Sequence, residues 1–184
     1  MISEAMRNTV RSTGLGALMK GAGLLTRFIP IPQPTLLVGP GSSGRLGQAI
    51  AGFGHRKILI VTDSIISKLG LLNGLTDALT AGGAEFVVFD EITPDAPIPL
   101  VQKGIDFYKD QGCDAIVAFG GGSSMDASKA IAVAANNPKP LNQLAGYLKG
   151  LRSPVKIYAV PTTAGTGSEV TVAAVISDPV NHKK

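Results

Sequence analysis

From residue 57 onward the chain alternates between two apolar patterns. Short unbroken runs, KILIVT (57–62), EFVVFD (85–90), DAIVAF (114–119) and VKIYAV (155–160), have the length and β-branched content of buried strands. Between them lie longer segments with helical spacing: SIISKLGLLNGLTDALTAGG (64–83), Leu100 to Gln111, and SSMDASKAIAVAAN (123–136). The first ends on Gly82–Gly83, a helix-stop signal. A fifth strand is expected over EVTVAAVIS (169–177). Repeated βα units of this kind predict an α/β fold, a parallel sheet with helices on both faces. Ligands in such sheets bind at the carboxyl ends of the strands. The positions to watch are therefore Asp63, residues 90–95, Gly120 to Ser124, and Pro161 to Ser168.

The amino-terminal part reads differently. Residues 28–41 (FIPIPQPTLLVGPG) contain four prolines, which rule out regular helix and suggest a linker with one short strand, Thr35 to Val38. This divides the chain into an N-terminal helical extension, 1–30, and an α/β domain, 31–184. In the extension Arg7, Arg11, Lys20 and Arg27 face a single acid, Glu4. Its apolar runs are too short for a secretory signal. An amphipathic surface helix pair is the expectation, and a transit peptide is the compositional alternative.

Composition narrows the function classes. Hydrophobic residues make up 45 % and charged residues 16 %, the balance of a globular chain. The net charge of +4 is mild, and the basic residues are scattered without interleaved aromatics, so nucleic-acid binding is not expected. No apolar stretch reaches the roughly 18 residues of a membrane span. The single Cys113 excludes an internal disulfide and clustered-cysteine metal sites; a cytoplasmic setting and a packed thiol are expected.

Three glycine clusters compete for a phosphate-binding role. GPGSSG (39–44) is a literal G-x-G-x-x-G, and Asp63 follows at the spacing of a ribose-binding acid. Yet the strand before it is short and proline-flanked, Pro40 lacks an N–H, and the following RLGQAIAGF has two internal glycines and reads as a weak helix. FGGGSSMD (119–126) has an uninterrupted apolar strand before it and a helix after it. Gly120, Gly121 and Gly122 leave backbone bare, and Ser123 or Ser124 can cap the helix, whose N-terminus attracts anions. TTAGTGSE (162–169) brings the hydroxyls of Thr162, Thr163, Thr166 and Ser168 to a strand end, where they suit ribose, amide or phosphate oxygens. The second cluster is the expected diphosphate site, and the first is a decoy.

The last two clusters also bear a family resemblance. G-G-G-S-x-x-D-x-x-K at Gly120 to Lys129, P-T-T-A-G-T-G-S-E at Pro161 to Glu169, and V-T-D at Val61 to Asp63 resemble the iron-containing (group III) alcohol dehydrogenases. The resemblance covers nearly everything after about residue 30. It implies a Rossmann-like nucleotide-binding domain of the dehydroquinate synthase-like type, without the helical metal domain. It implies that Gly121, Gly122 and Ser123 hold the pyrophosphate of NAD(P) and that Asp63 touches the adenosine ribose. Asp95, in Pro94-Asp95-Ala96-Pro97 where the family has Pro-Asn-Pro, would lie near the adenine. Thr162, Thr163 and Thr171 would line the cofactor and Lys184 would reach it; Gly120, Asp126 and Thr166 complete the cofactor-binding set.

The same resemblance implies Fe²⁺ or Zn²⁺ held by one Asp and three His in a second domain, and hydride transfer between a small alcohol or aldehyde and the nicotinamide. His55, in GFGHRK, and His182, near the terminus, are the two histidines, and both are expected to be solvated. No catalytic or metal residue can be named. The chain reads as the NAD(P)-binding half of a metal-dependent alcohol dehydrogenase, inactive alone. Alternatives are a nucleotide-binding module without catalysis, or a relative of glycerol dehydrogenase or dehydroquinate synthase. A carboxylate at Asp63 accepts a ribose 2′-OH and repels a 2′-phosphate, so NAD is expected over NADP. An apolar face left uncovered would favour a homo-oligomer.

Overall fold

The computed structural model describes residues 34–146, 149–150 and 152–179. The expectations for the N-terminal extension, Lys184 and His182 fall outside the described residues. Contacts divide the chain into residues 1–36 and 37–184, and every element below belongs to the second unit.

Four strands pair in parallel: β1 (Lys57–Val61), β2 (Glu85–Phe89), β3 (Ala115–Gly120) and β4 (Lys156–Pro161), in the order β2–β1–β3–β4. Leu59 lies opposite Val87 on one side and Ile116 on the other. The central strands are buried on both faces, which is why they read as continuous apolar runs rather than alternating ones. Ile58, Ile60, Ala115, Val117 and Phe119 face one layer; Leu59, Val61 and Ile116 face the other.

The first layer holds α1 (Ser42–Gly52), the short α2 (Ser64–Lys68) and α3 (Asn73–Ala81), through Ile50, Ile66, Leu75 and Leu79. The second holds α4 (Ile98–Asp110) and α5 (Gly122–Asn136), through Val101, Ile105, Ala127 and Ile131. Three sequence expectations need correction. The helix over 64–83 is two helices, broken where Gly70 takes a φ of +69°. Residues 35–38 form no strand and stay exposed. The segment 169–177 is not a fifth strand. It begins as a 3₁₀ turn, Ser168–Val170, and Val170, Val172 and Val175 face solvent, Val172 being 96 % exposed, while Ile176 packs on the core.

The helix read as weak, α1, is regular over eleven residues. Its glycines are a packing device. A Cβ on Gly47 would lie 2.7 Å from the Leu75 carbonyl oxygen and 2.8 Å from the Ala78 Cβ, so the bare backbone is what lets α3 come so close. Gly47→Ala is expected to destabilise the chain by ~1–3 kcal/mol in urea unfolding, despite the ~1 kcal/mol that alanine gains over glycine in a helix. Gly52→Ala, with open space around it, should be neutral or stabilising.

Cys113 is the packed thiol expected, 8 % exposed before β3. Burial pushes it from an ordinary value near 9 up to about 11; Lys57 opposes the rise and Asp114 adds to it. Burial likewise lifts Tyr108 to about 12. Both groups are held in their neutral forms, so their contribution is present below about pH 9 and lost as pH rises through 9–11 for the thiol and 10–12 for the phenol. A denaturation series should show stability falling across that alkaline window. Alkylation of native Cys113 at pH 8 should run at least ~10-fold slower than in the urea-unfolded chain.

Candidate nucleotide-binding site

The sheet order makes a crevice before any side chain is considered. The chain leaves β1 into α2 and α3 on one face, and leaves β3 into α5 on the other. The connections diverge between these neighbouring strands, the topological switch point where open α/β sheets bind ligands. A cleft of about 560 Å³ lies there, lined by residues 63–66, 92–94, 121–124 and 162–163. None of residues 39–44 lines it. The Arg45 guanidinium folds back on that stretch, donating to the carbonyls of Val38 and Pro40 at 2.9 and 2.8 Å. A second depression, about 440 Å³ between α1 and α3, has no ionisable group in its lining.

Asp63 follows β1 by two residues and caps α2. Its Oδ1 accepts the N–H groups of Ile65 and Ile66 at 2.9 and 3.0 Å. Both bonds go to one oxygen and fix the carboxylate plane at the cleft wall. Three apolar residues beside it, Ile65, Ile66 and Ile92, also line the cleft. They carried no chemical signal in the sequence; only their position after β1 and β2 marks them.

The triple-glycine loop forms the opposite wall. Gly120 has a φ of +153° and closes β3, and α5 starts at Gly122. Neither Ser123 nor Ser124 caps that helix: Gly121 is the cap residue and supplies no side chain. Ser123 is used elsewhere, its Oγ accepting the Asp95 N–H at 3.2 Å, and Ser124 is buried. The N–H groups of the first turn of α5 have no acceptor within the helix. Across from them stands the threonine loop, begun by Thr162 N–H donating to Gly120 O at 2.9 Å. A Cβ at Gly121 would come within 2.9 Å of Thr163 Oγ1, and one at Gly122 within 3.5 Å of Ser168 Oγ and 3.7 Å of Thr166 Cγ2. The Thr163 and Ser168 hydroxyls thus lie against a side-chain-free helix N-terminus, close enough that a side chain at Gly121 would clash, while Thr166 turns its methyl toward Gly122.

The expected residues fall into three groups. Asp63, Gly121, Gly122, Ser123, Thr162 and Thr163 line one cleft; Gly120 packs against Ser124 just before it, and Thr166 turns its methyl to Gly122. Asp95 sits in a turn with φ +64°, tied by its backbone to Ser123 and Ser177. Asp126 and Thr171 do not line the cleft. Both meet Lys129, which the sequence reading left without a role. His55 also needs correction: its side chain is 16 % exposed, not solvated. Its Nε2 shares a 2.8 Å hydrogen bond with Tyr158 Oη, because the turn from α1 into β1 folds over β4. Among the described residues no three His, Cys, Asp or Glu side chains converge as metal ligands.

The iron-containing alcohol dehydrogenase family model matches residues 33–184. The chain is 36 % identical over 156 residues to lactaldehyde reductase of Escherichia coli, covering 84 % of this chain and 41 % of that protein. It is 36 % identical over 157 residues to NAD-dependent methanol dehydrogenase of Bacillus methanolicus, covering 85 % and 40 %. Among solved structures, sulfoacetaldehyde reductase from Bifidobacterium kashiwanohense in complex with NAD⁺ superposes with a TM-score of 0.71 at 28 % identity, over 84 % of this chain and 42 % of that one. The chain therefore belongs to the iron-containing alcohol dehydrogenases. It spans about two fifths of the length of the relatives it matches.

The double use of Asp63, as cap and as cleft wall, can be separated by mutation. Asp63→Ala should cost ~1 kcal/mol of stability through loss of the α2 cap, whereas Asp63→Asn, an equally good cap, should stay within ~0.5 kcal/mol of wild type. Thermal unfolding of the two variants checks this.

Proposed function

We propose that this chain binds NAD(H) in the switch-point cleft and serves as the nucleotide-binding part of a metal-dependent alcohol dehydrogenase. The observation that carries this reading is the bare Gly121–Gly122 backbone at the N-terminus of α5, faced by the hydroxyls of Thr163 and Ser168. That arrangement fits a diphosphate: unpaired N–H donors and a positive helix end on one side, neutral hydroxyl donors on the other, and no side chain between. A bound nicotinamide would supply the hydride chemistry, in exchange with a small alcohol or aldehyde.

The remaining roles belong to this chain's own residues. The Asp63 carboxylate, held in plane by its two N–H bonds, would accept hydrogen bonds from the adenosine ribose. Its charge would disfavour a 2′-phosphate, so NAD is preferred over NADP. Ile65, Ile66 and Ile92 give the nucleotide an apolar wall beside that acid. Fe²⁺ or Zn²⁺ is the metal expected for the whole enzyme, and the described residues offer no ligand set for it.

The test is a titration of NADH fluorescence, which the absence of tryptophan leaves uncluttered. Gly122→Val should weaken NADH binding at least ~10-fold by placing methyl groups against the phosphate-facing backbone, while Gly52→Ala leaves it unchanged. Asp63→Asn should narrow the preference for NAD⁺ over NADP⁺ without loss of fold. Equal affinity of the wild-type chain for both cofactors at low ionic strength would sink the role given to Asp63. Gly122→Val binding like wild type would sink the glycine-loop site.

A further inference from the structure

The geometry points to Lys129 as a positioning residue that holds the threonine loop across the glycine loop; this rests on the nucleotide-binding reading above. Lys129 lies one turn after Asp126 on α5, and both side chains are 14 % exposed. Its ammonium group donates to Asp126 Oδ1 at 3.1 Å, Thr171 Oγ1 at 3.0 Å and the Ala173 carbonyl at 2.7 Å. Three donors meet three acceptors, which is the full capacity of the group. The other Asp126 oxygen accepts the Val175 N–H at 3.1 Å. One ion pair on a helix thus takes three positions of a five-residue segment that has no strand beside it.

That segment is the far anchor of the hydroxyl loop. Residues 162–170 run from the end of β4, where Thr162 is bonded to Gly120, to Thr171, where Lys129 takes over. Two residues beyond Val175 the chain is fastened again: Ser177 N–H donates to Asp95 O, and Ile98 N–H donates to Ser177 O. Asp95 in turn donates its N–H to Ser123 on the glycine loop. Lys129 does not line the cleft, and its charge is neutralised by Asp126, so it acts on a bound anion through placement rather than by direct attraction. Without it, Thr163, Thr166 and Ser168 keep their β4 anchor, and the next hold on the other side moves out from Thr171 to Val175 and Ser177.

The test pairs NADH titration with amide hydrogen exchange on the whole chain. Lys129→Met should weaken NADH binding by about tenfold or more and speed exchange at Val175 by a similar factor, the scale of losing charged hydrogen bonds. Exchange at Val117 and Ala159, in the sheet, should not change. Lys129→Arg, which keeps the charge beside Asp126, should recover binding to within about threefold of wild type. Thr171→Val, which leaves the ion pair whole, should give a partial loss, and it decides the matter if Lys129→Met unfolds the sheet. Wild-type affinity in Lys129→Met or, should that variant unfold, in Thr171→Val, overturns the positioning role while leaving the cofactor reading intact. Failure of the wild-type chain to bind NADH overturns both, and the exchange at Val175 then reports the tether alone.

Discussion

The parallel pairing of β1 with β3 is the constraint on which the rest of the structure depends. Both strands are buried on both faces, so each residue must serve one of two cores, and a shift of register would exchange them. The same pairing sets the ends of the two strands side by side. Asp63 and Gly121 are then opposite walls of one cleft because Val61 is aligned with Ala118. The site is a consequence of strand register, and its two walls come from segments nearly sixty residues apart.

Close approach is the second theme, and glycine serves it twice. In α1 a missing Cβ brings two helices together until backbone meets side chain. In the loop after β3 the missing side chains leave helix N–H groups open toward a row of hydroxyls. The first use lets apolar surfaces meet and the second lets hydroxyls approach bare backbone. A chain with 23 glycines contains both kinds, and the difference lies in what stands opposite.

Polar groups near the cleft do more structural work than their residue types announce. Asp63 is a helix cap, Ser123 an acceptor for a neighbouring turn, and Asp126 half of an ion pair that holds an exposed segment. Asp63 is placed by the backbone of the helix it caps, Ser123 and Asp126 by bonds to backbone groups of distant segments. This gives the cleft wall rigidity without a large apolar core beneath the threonine loop, most of which is exposed.

The strands, the two layers of helices and the glycine loop were legible in the sequence, because burial on both faces writes continuous apolar runs and a bare helix start needs consecutive glycines. The sequence also sufficed to set GPGSSG aside, since its proline and its poor strand are local facts. Other features were not legible. The run 169–177 looks like a strand, yet its backbone groups bond to the side chains of Asp126 and Lys129 and, at Ser177 alone, to the backbone beside Pro97. The glycines of α1 looked like weakness because α3, which they admit, is near only in the folded chain. His55 looked solvated because Tyr158 is about a hundred residues away in sequence. The sequence by itself determined which segments are buried and where the backbone is bare, properties of each residue and its near neighbours. Tertiary structure alone decided which polar groups meet, because hydrogen bonds and close contacts between distant segments exist only once the sheet has brought them together.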